Sequence, residues 1–226
     1  MAARLSSGTA VRDALDGAIT AIAAAGCDTP RLDAELLLAH ALGVSRERLL
    51  IDNELAVAGP AVRAFQELVR RRSVQREPVA YVLGARHFRR LEIAVDPRVL
   101  IPRPETELLV EVALALPDGA SVLDLGTGSG AVALALKDER PDLSVTGSDL
   151  SPGAVEVARN NGGRLGLACA YLDREQAHTA APPRLADQPP DRLQAVGACE
   201  QRLGGLVAED LGAHRQTLAV GHVRRV

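Results

Sequence analysis

The stretch that decides the fold of this chain is Ser121-Val-Leu-Asp124-Leu-Gly126-Thr-Gly128-Ser-Gly130. An aliphatic run enters a cluster of glycines, and an alanine-rich segment at residues 131–137 follows. This order is typical of the strand, tight turn and helix of an α/β unit. Glycines suit such a turn because the chain reverses within a few residues and because a ligand can approach the backbone without meeting Cβ atoms. The stretch therefore predicts a ligand site at the carboxyl end of a β-strand.

A second apolar run, Val145-Thr-Gly-Ser-Asp149-Leu, ends in an acidic residue. Asp149 stands 19 residues after Gly130, and at this spacing a carboxylate can accept hydrogen bonds from both hydroxyls of a ribose. The ligand is therefore predicted to contain a nucleoside.

Two cofactor classes fit this spacing, a dinucleotide and S-adenosylmethionine. The pattern Gly126-x-Gly128-x-x-Ala131 satisfies the dinucleotide fingerprint, which is weak when it stands alone. Asp124 stands two residues before the first glycine, where its charge would repel a pyrophosphate and attract an ammonium or sulfonium cation. The residues favour S-adenosylmethionine. A dinucleotide, and a glycine-rich turn that binds nothing, stay open as alternatives.

Length, composition and charge set the outer limits. The chain has 226 residues, of which 47% are hydrophobic, and this content suffices for buried cores in two units. The net charge of −3 gives no support for direct nucleic-acid binding. The sequence shows neither an apolar run of membrane-spanning length nor the features of a signal peptide, so we expect a cytoplasmic protein without membrane contact. The isolated cysteines and histidines predict neither a disulfide nor a metal site.

Residues 1–78 are predicted to form a separate helical unit. Apolar residues recur at helical spacing in four segments, which are bounded by Gly26, Thr29-Pro30, Gly43, Ser45 and Gly59-Pro60. The run Arg70-Arg71-Arg72 ends the fourth segment and is predicted to be a solvated helix terminus, with contact to an acidic partner or RNA as the alternative.

Residues 79–100 are predicted to form a β-hairpin connector, with strands at 81–84 and 91–95 around a polar turn. Residues 101–167 are predicted to form the first half of an α/β domain. Pro102 and Pro104 stiffen the turn that leads into its first helix.

In this order the features resemble the release factor glutamine methyltransferases. The resemblance covers residues 9 to 167 and rests on the helical unit and on Arg76-Glu-Pro-Val-Ala-Tyr81-Val-Leu-Gly84, Leu100-Ile-Pro-Arg-Pro-Glu-Thr-Glu107, Asp124-Leu-Gly-Thr-Gly-Ser-Gly130 and Asp149-Leu-Ser-Pro. It implies an α/β protein with an N-terminal helical bundle, a short β-hairpin connector and an incomplete Rossmann-like class I methyltransferase domain that uses S-adenosylmethionine. Enzymes of this family methylate the side-chain amide of the glutamine in the GGQ motif of peptide chain release factors.

The resemblance also implies roles for particular residues. The methionine end and ribose of S-adenosylmethionine would be held by Gly126, Thr127, Gly128, Ser129 and Gly130. Asp149 would hold the ribose hydroxyls. The helical unit would help to dock the release factor, which is the protein substrate.

The sequence departs from the family after Leu167. The family carries an Asn-Pro-Pro-Tyr turn that positions the substrate amide, and this motif does not occur in the 226 residues. No catalytic residue is therefore assigned, and weak or undetectable methyl transfer is expected, which leaves an inactive release-factor-binding module as an alternative function. Residues 168–226 are predicted to be a divergent tail that supplies no further strand. A frame-shifted gene near Arg184-Leu-Ala-Asp-Gln188-Pro-Pro190 and a genuine, partly disordered C-terminus are both consistent with it.

Overall fold

The computed structural model describes residues 9–52 and 55–173, together with the backbone of two strands at 193–198 and 217–222. The chain divides into two compact units, Met1–Gly84 and Ala85–Val226. The boundary at Gly84 falls inside the segment that the sequence predicts to be a connector. Among the described residues, no helix is long and apolar enough to cross a membrane, and no three acidic, histidine or cysteine side chains are grouped to hold a metal ion.

The first unit is helical, as the sequence predicts. Its helices are α1 (Val11–Ala24), α2 (Pro30–Leu42), α3 (Arg46–Ile51), α4 (Pro60–Ser73) and α5 (Val79–Leu83). Two short strands, β1 (Thr9–Ala10) and β2 (Ala56–Val57), pair antiparallel beside them. The helices meet in one apolar core, with the fully buried Ile22, Leu37 and Leu38 at its centre.

Of the residues predicted to mark helix ends, some cap a helix as predicted and one does not. Gly43 ends α2 in the left-handed conformation with φ of +65°, and the Ser45 side chain caps α3 by accepting a hydrogen bond from the Arg48 N–H at 3.2 Å. Thr29 does not cap α2 with its side chain, because its hydroxyl donates to Asp33 Oδ1 at 2.8 Å instead.

The three arginines at the end of α4, Arg70 to Arg72, all form ion pairs with acidic residues of the first unit. Arg70 pairs with Glu67 at the surface, whereas Arg72 Nε donates to Asp33 Oδ2 on α2 at 2.6 Å. The Arg72 side chain is only 17% exposed and that of Asp33 6% exposed. The prediction of a solvated helix terminus is therefore wrong for Arg72, since its partner lies 39 residues away in the sequence.

The change Arg72→Ala is expected to lower the free energy of unfolding by about 3 kcal/mol, because it leaves the buried Asp33 carboxylate without its cation. Arg70→Ala, two residues earlier on the same helix, removes an exposed pair and should change the free energy of unfolding much less, because solvent screens the pair. Urea unfolding of both variants measures the difference. Equal losses would contradict a structural role for the Arg72–Asp33 pair.

The connector differs from the prediction in its first strand. Residues 79–83 form helix α5, which follows Pro78 and ends at Gly84 with φ of +74°. The hairpin consists of β3 (Ala85–Phe88) and β4 (Leu91–Ala94), which pair antiparallel. The predicted strand at 81–84 is therefore wrong, because a short apolar run fits a helix and a strand equally well. The second predicted strand is confirmed.

The second unit is an α/β domain, as predicted. A 3-10 turn (Pro104–Thr106) leads into α6 (Glu107–Leu114), and strands then alternate with helices: β5 (Ser121–Leu125), α7 (Ala131–Glu139), β6 (Ser144–Ser148), α8 (Pro152–Leu165) and β7 (Ala170–Leu172). The three strands are parallel neighbours in the order β7-β6-β5. Right-handed crossover through α7 and α8 is the usual way to connect such strands.

Besides β7, the predicted tail at 168–226 supplies two more strands of the described sheet, β8 (Leu193–Ala198) and β9 (Thr217–His222). β9 pairs parallel with β5, and β8 pairs parallel with β9, so the described order is β7-β6-β5-β9-β8. The prediction that the tail supplies no strand is therefore wrong. Local periodicity could not reveal these strands because β9 joins the sheet through β5, nearly a hundred residues earlier in the chain. The described parts of the predicted tail, 168–173, 193–198 and 217–222, contain strands, so the prediction of disorder is not met there. The rest of the tail, with the hypothesis of a frame shift near 184–190, lies outside the described residues.

Candidate functional site

The glycine cluster forms a loop, residues 126–130, between the carboxyl end of β5 and the start of α7. Gly126, Gly128 and Gly130 have φ of +72°, +54° and +80°. All three lie in the left-handed region, which side chains with a Cβ rarely adopt. The sequence expectation that this turn needs glycine dihedrals is confirmed.

The loop is held by the end of the neighbouring strand β6. The N–H groups of Gly126 and Thr127 both donate to the Ser148 carbonyl at 2.8 Å, and the Gly128 N–H donates to Asp149 Oδ2 at 2.9 Å. The Gly130 N–H closes the loop on the Thr127 carbonyl at 2.8 Å. These hydrogen bonds give the loop a defined shape.

Asp149 lies directly beside the loop, as the two-strand register requires. Its Oδ1 accepts from the Ser151 N–H at 2.9 Å, while Oδ2 accepts from Gly128. Each carboxylate oxygen keeps a further lone pair, because an ionised carboxylate has about four acceptor positions. The Asp149 N–H donates to the Leu172 carbonyl at 3.2 Å, which brings the end of β7 and the following Asp173 to the same edge. Sequence reasoning did not single out Asp173.

Asp124 lies beneath the loop rather than openly in it. The side chain is buried, and its Oδ2 accepts a hydrogen bond from the Thr127 hydroxyl at 2.6 Å. Burial away from water raises the pKa of the Asp124 carboxyl to about 6. A cation above it would favour the ionised form, so the site is suited to a positively charged group.

The raised pKa of Asp124 predicts that the free energy of unfolding falls as the pH rises. Between the ordinary value near 4 and the folded value of about 6, the folded chain keeps a proton that the unfolded chain has released. Between pH 4.5 and 6.5, the titration of Asp124 should lower the free energy of unfolding by about 2 kcal/mol. Asp124→Asn keeps an acceptor for Thr127 without the charge and should remove this part of the pH dependence in denaturant unfolding. The same pH dependence in both proteins would contradict the assignment.

The loop forms one wall of a groove. A second wall comes from the segment between β4 and α6 and from the first turns of α6. Its lining residues are Leu100, Ile101, Pro102, Arg103, Thr106 and, in α6, Leu109. Arg103 is exposed, and within the described residues it has no ion-pair partner. The sequence predicts this segment as a family motif and a stiff turn before the helix, but not as part of a ligand site. Its two prolines were the signal that it holds a fixed shape beside another element.

Gly147 and Tyr171 support the loop from within the sheet. A Cβ on Gly147 would lie 2.8 Å from both Thr127 Oγ1 and the Tyr171 ring atom Cδ1. No real side chain fits at that distance without displacing its neighbours. A lone glycine inside a predicted strand was the available signal, because it often marks such a close approach.

Comparisons with known proteins agree with these two units. Residues 13–84 match the family model of the PrmC N-terminal domain, and residues 122–200 match that of a methyltransferase domain. The release factor glutamine methyltransferase of Escherichia coli (strain K12) is 38% identical over 198 residues, which cover 82% of this chain and 71% of that protein. The chain belongs to the release factor glutamine methyltransferase family. The predicted family and its Rossmann-like methyltransferase domain are confirmed.

Other members of the release factor glutamine methyltransferase family match a shorter part of their length. The protein of Vibrio cholerae serotype O1 is 46% identical over 160 residues, which cover 70% of this chain and 55% of that protein. The protein of Mycolicibacterium smegmatis is 46% identical over 155 residues, which cover 68% and 54%. The chain thus spans about half the length of these relatives.

Proposed function

We propose that the groove binds S-adenosylmethionine and that the chain serves methyl transfer to the side-chain amide of a glutamine in a peptide chain release factor. The observation that carries the proposal is the hydrogen bond between the Gly128 N–H and Asp149 in a member of this family. It joins a loop open to a ligand with a carboxylate suited to a ribose. The release factor as substrate comes from the names of the relatives.

The residues present fit this cofactor. A Cβ on Gly128 would have only the Gly126 carbonyl within 4 Å, at 3.9 Å, so the loop backbone there is open to a ligand. Asp124 suits the cationic methionine end, and the exposed Arg103 can pair with the carboxylate of that end. Asp149 keeps acceptor capacity for the ribose. The pyrophosphate of a dinucleotide would instead be repelled by the negative charge of Asp124.

S-adenosylmethionine, when bound, supplies an electrophilic methyl group on a sulfonium. The residues that line the groove would bind and orient the cofactor. Asp124 is the one carboxylic acid among them, and it lies buried beneath the loop with its Oδ2 hydrogen-bonded to the Thr127 hydroxyl. Proximity and alignment are the main contributions that a protein makes to such a transfer. The loop, Asp124 and Arg103 would fix the cofactor half of that alignment.

The Asp149→Ala variant is expected to bind S-adenosylhomocysteine at least about tenfold more weakly, because it removes charge-assisted hydrogen bonds to the ribose. It also releases the Gly128 N–H from its partner, which loosens the loop. Asp149→Asn keeps one acceptor oxygen and should lose less. Calorimetric titration of the two variants and the parent chain measures their order of affinity for S-adenosylhomocysteine. Unchanged affinity in Asp149→Ala would count against the ribose role.

An inactive release-factor-binding module is the second candidate. It is favoured by the separate helical unit, whose residues 13–84 match the family model of the PrmC N-terminal domain. Incubation with methyl-labelled S-adenosylmethionine and a purified release factor distinguishes the two candidates. Label on the GGQ glutamine supports the enzyme, and binding of the release factor without label and without binding of S-adenosylhomocysteine supports the module.

A further inference from the structure

Asn161 connects the loop at 126–130 to the β3–β4 hairpin. It lies in α8 and is 1% exposed. Its Nδ2 donates to the Ser129 carbonyl at 3.0 Å and to the Ala94 carbonyl at 2.9 Å, while its Oδ1 accepts from the Ala94 N–H at 2.9 Å. Both amide hydrogens and the amide oxygen are therefore engaged, and two carbonyl partners fix which atom is the nitrogen.

One partner of Asn161 lies in the groove wall formed by the loop, and the other stands six residues before Leu100, where the second wall begins. Ser129 is part of the loop wall. Ala94 ends β4, and residues 95–99 lead from it to Leu100, the first residue of the other wall. This connection is stiff, because Val95 and Val99 are buried and the Val99 N–H donates to the Asp96 carbonyl at 3.1 Å. One side chain thus sets the position of the loop relative to the start of the second wall.

Packing alone does not explain an asparagine at this position. Asparagine is a poor helix former, and a buried amide is costly unless its hydrogen bonds are satisfied. The other buried positions on the same face of α8 carry small or β-branched apolar side chains, among them Val155, Val157 and Ala158. An apolar side chain at 161 would continue this face but leave two carbonyls and one N–H without partners.

We propose that Asn161 is a positioning residue that sets the spacing between the two walls of the groove. It acts through the Ser129 carbonyl and the Ala94 backbone and does not touch the ligand. The methionine end of the cofactor would lie between these walls, so Asn161 controls affinity for that end more than for the nucleoside end. The identity of the ligand rests on the proposed function, whereas the link between the walls rests on the structure.

The first test needs no ligand. Hydrogen exchange in Asn161→Ala should be about tenfold or more faster in peptides covering 126–134 and 91–101, because both segments lose an anchoring hydrogen bond. Asn160→Ala is the matched control, since Asn160 is the exposed neighbour on the same helix. Exchange that is unchanged in Asn161→Ala, or equally raised in Asn160→Ala, would overturn the inference.

The second test compares two ligands in full-length variants, S-adenosylhomocysteine and adenosine, which lacks the methionine end. A variant that is merely less folded loses affinity for both by the same factor. In Asn161→Ala the ratio of the two affinities should fall about tenfold, as expected for a misplaced wall. Val157→Ala, a buried position on the same helix, should leave the ratio unchanged.

Each outcome decides one of the two proposals. An unchanged ratio in Asn161→Ala would overturn the positioning role. A parent chain that does not bind S-adenosylhomocysteine would overturn the proposed function, and hydrogen exchange would then decide the positioning role alone. If Asn161→Ala does not fold, Asn161→Asp serves for both tests, because it keeps the size and the acceptor for Ala94 but loses both donated hydrogen bonds.

Discussion

Gly128→Val is expected to abolish binding of S-adenosylhomocysteine, with a loss of at least about a hundredfold, while the N-terminal helical unit stays folded. Gly128 has φ of +54°, where a β-branched residue is strained by about 1–2 kcal/mol. The new side chain would also fill the space above the loop that the ligand needs, since only the Gly126 carbonyl lies within 4 Å of a Cβ there. Calorimetric titration measures the affinity, and circular dichroism reports the helical content.

A second glycine with a similar backbone conformation serves as a control that separates backbone strain from obstruction of the ligand. Gly119 has φ of +68°, would have no atom within 4 Å of an added Cβ, and lies before β5 rather than at its carboxyl end. Gly119→Val should therefore carry similar backbone strain and keep the affinity of the parent chain. Ordinary affinity in Gly128→Val, or an equal loss in Gly119→Val, would contradict the placement of the ligand on the loop.

Gly147→Ala is expected to lower the free energy of unfolding by about 3 kcal/mol, although it adds a single methyl group. That methyl would lie 2.8 Å from Thr127 Oγ1 and from the Tyr171 ring. Neither neighbour can yield easily, because Thr127 is hydrogen-bonded to the buried Asp124 at 2.6 Å and Tyr171 is 7% exposed. The displaced Thr127 should also weaken binding of S-adenosylhomocysteine.

The same substitution at Gly163 provides the control for Gly147→Ala. Gly163 is an exposed residue of α8, and a Cβ added to it would meet nothing within 4 Å. Gly163→Ala should raise the free energy of unfolding by up to about 1 kcal/mol, because alanine is the better helix former. Denaturant unfolding of both variants should thus give changes of opposite sign. A neutral result for Gly147→Ala would mean that the loop tolerates movement of Thr127.

The parts of the structure that the sequence predicts are those decided by local chemistry. The left-handed glycines at 126, 128 and 130 could be expected because the turn and a close ligand both require the absence of Cβ. The Ser45 cap and the Gly43 terminus follow from equally local rules. Each of these features depends on a few consecutive residues.

The parts that the sequence does not predict depend on distant partners. The Arg72–Asp33 pair joins residues 39 positions apart, and β9 pairs with β5 across nearly a hundred residues. Asn161 reaches Ala94 from 67 residues away, and nothing in the local pattern distinguishes it from the exposed Asn160. The prediction of a strand at 81–84, where α5 lies, was wrong for another reason. A run of five mostly apolar residues is too short to show whether its period is that of a helix or of a strand.

Parallel calorimetric titrations with S-adenosylhomocysteine and NADH test whether the groove beside Asp149 binds S-adenosylmethionine. We expect binding of S-adenosylhomocysteine that S-adenosylmethionine displaces and that Asp149→Ala weakens, with no heat from NADH. Binding of NADH, or binding of neither ligand by the folded chain, would contradict this expectation.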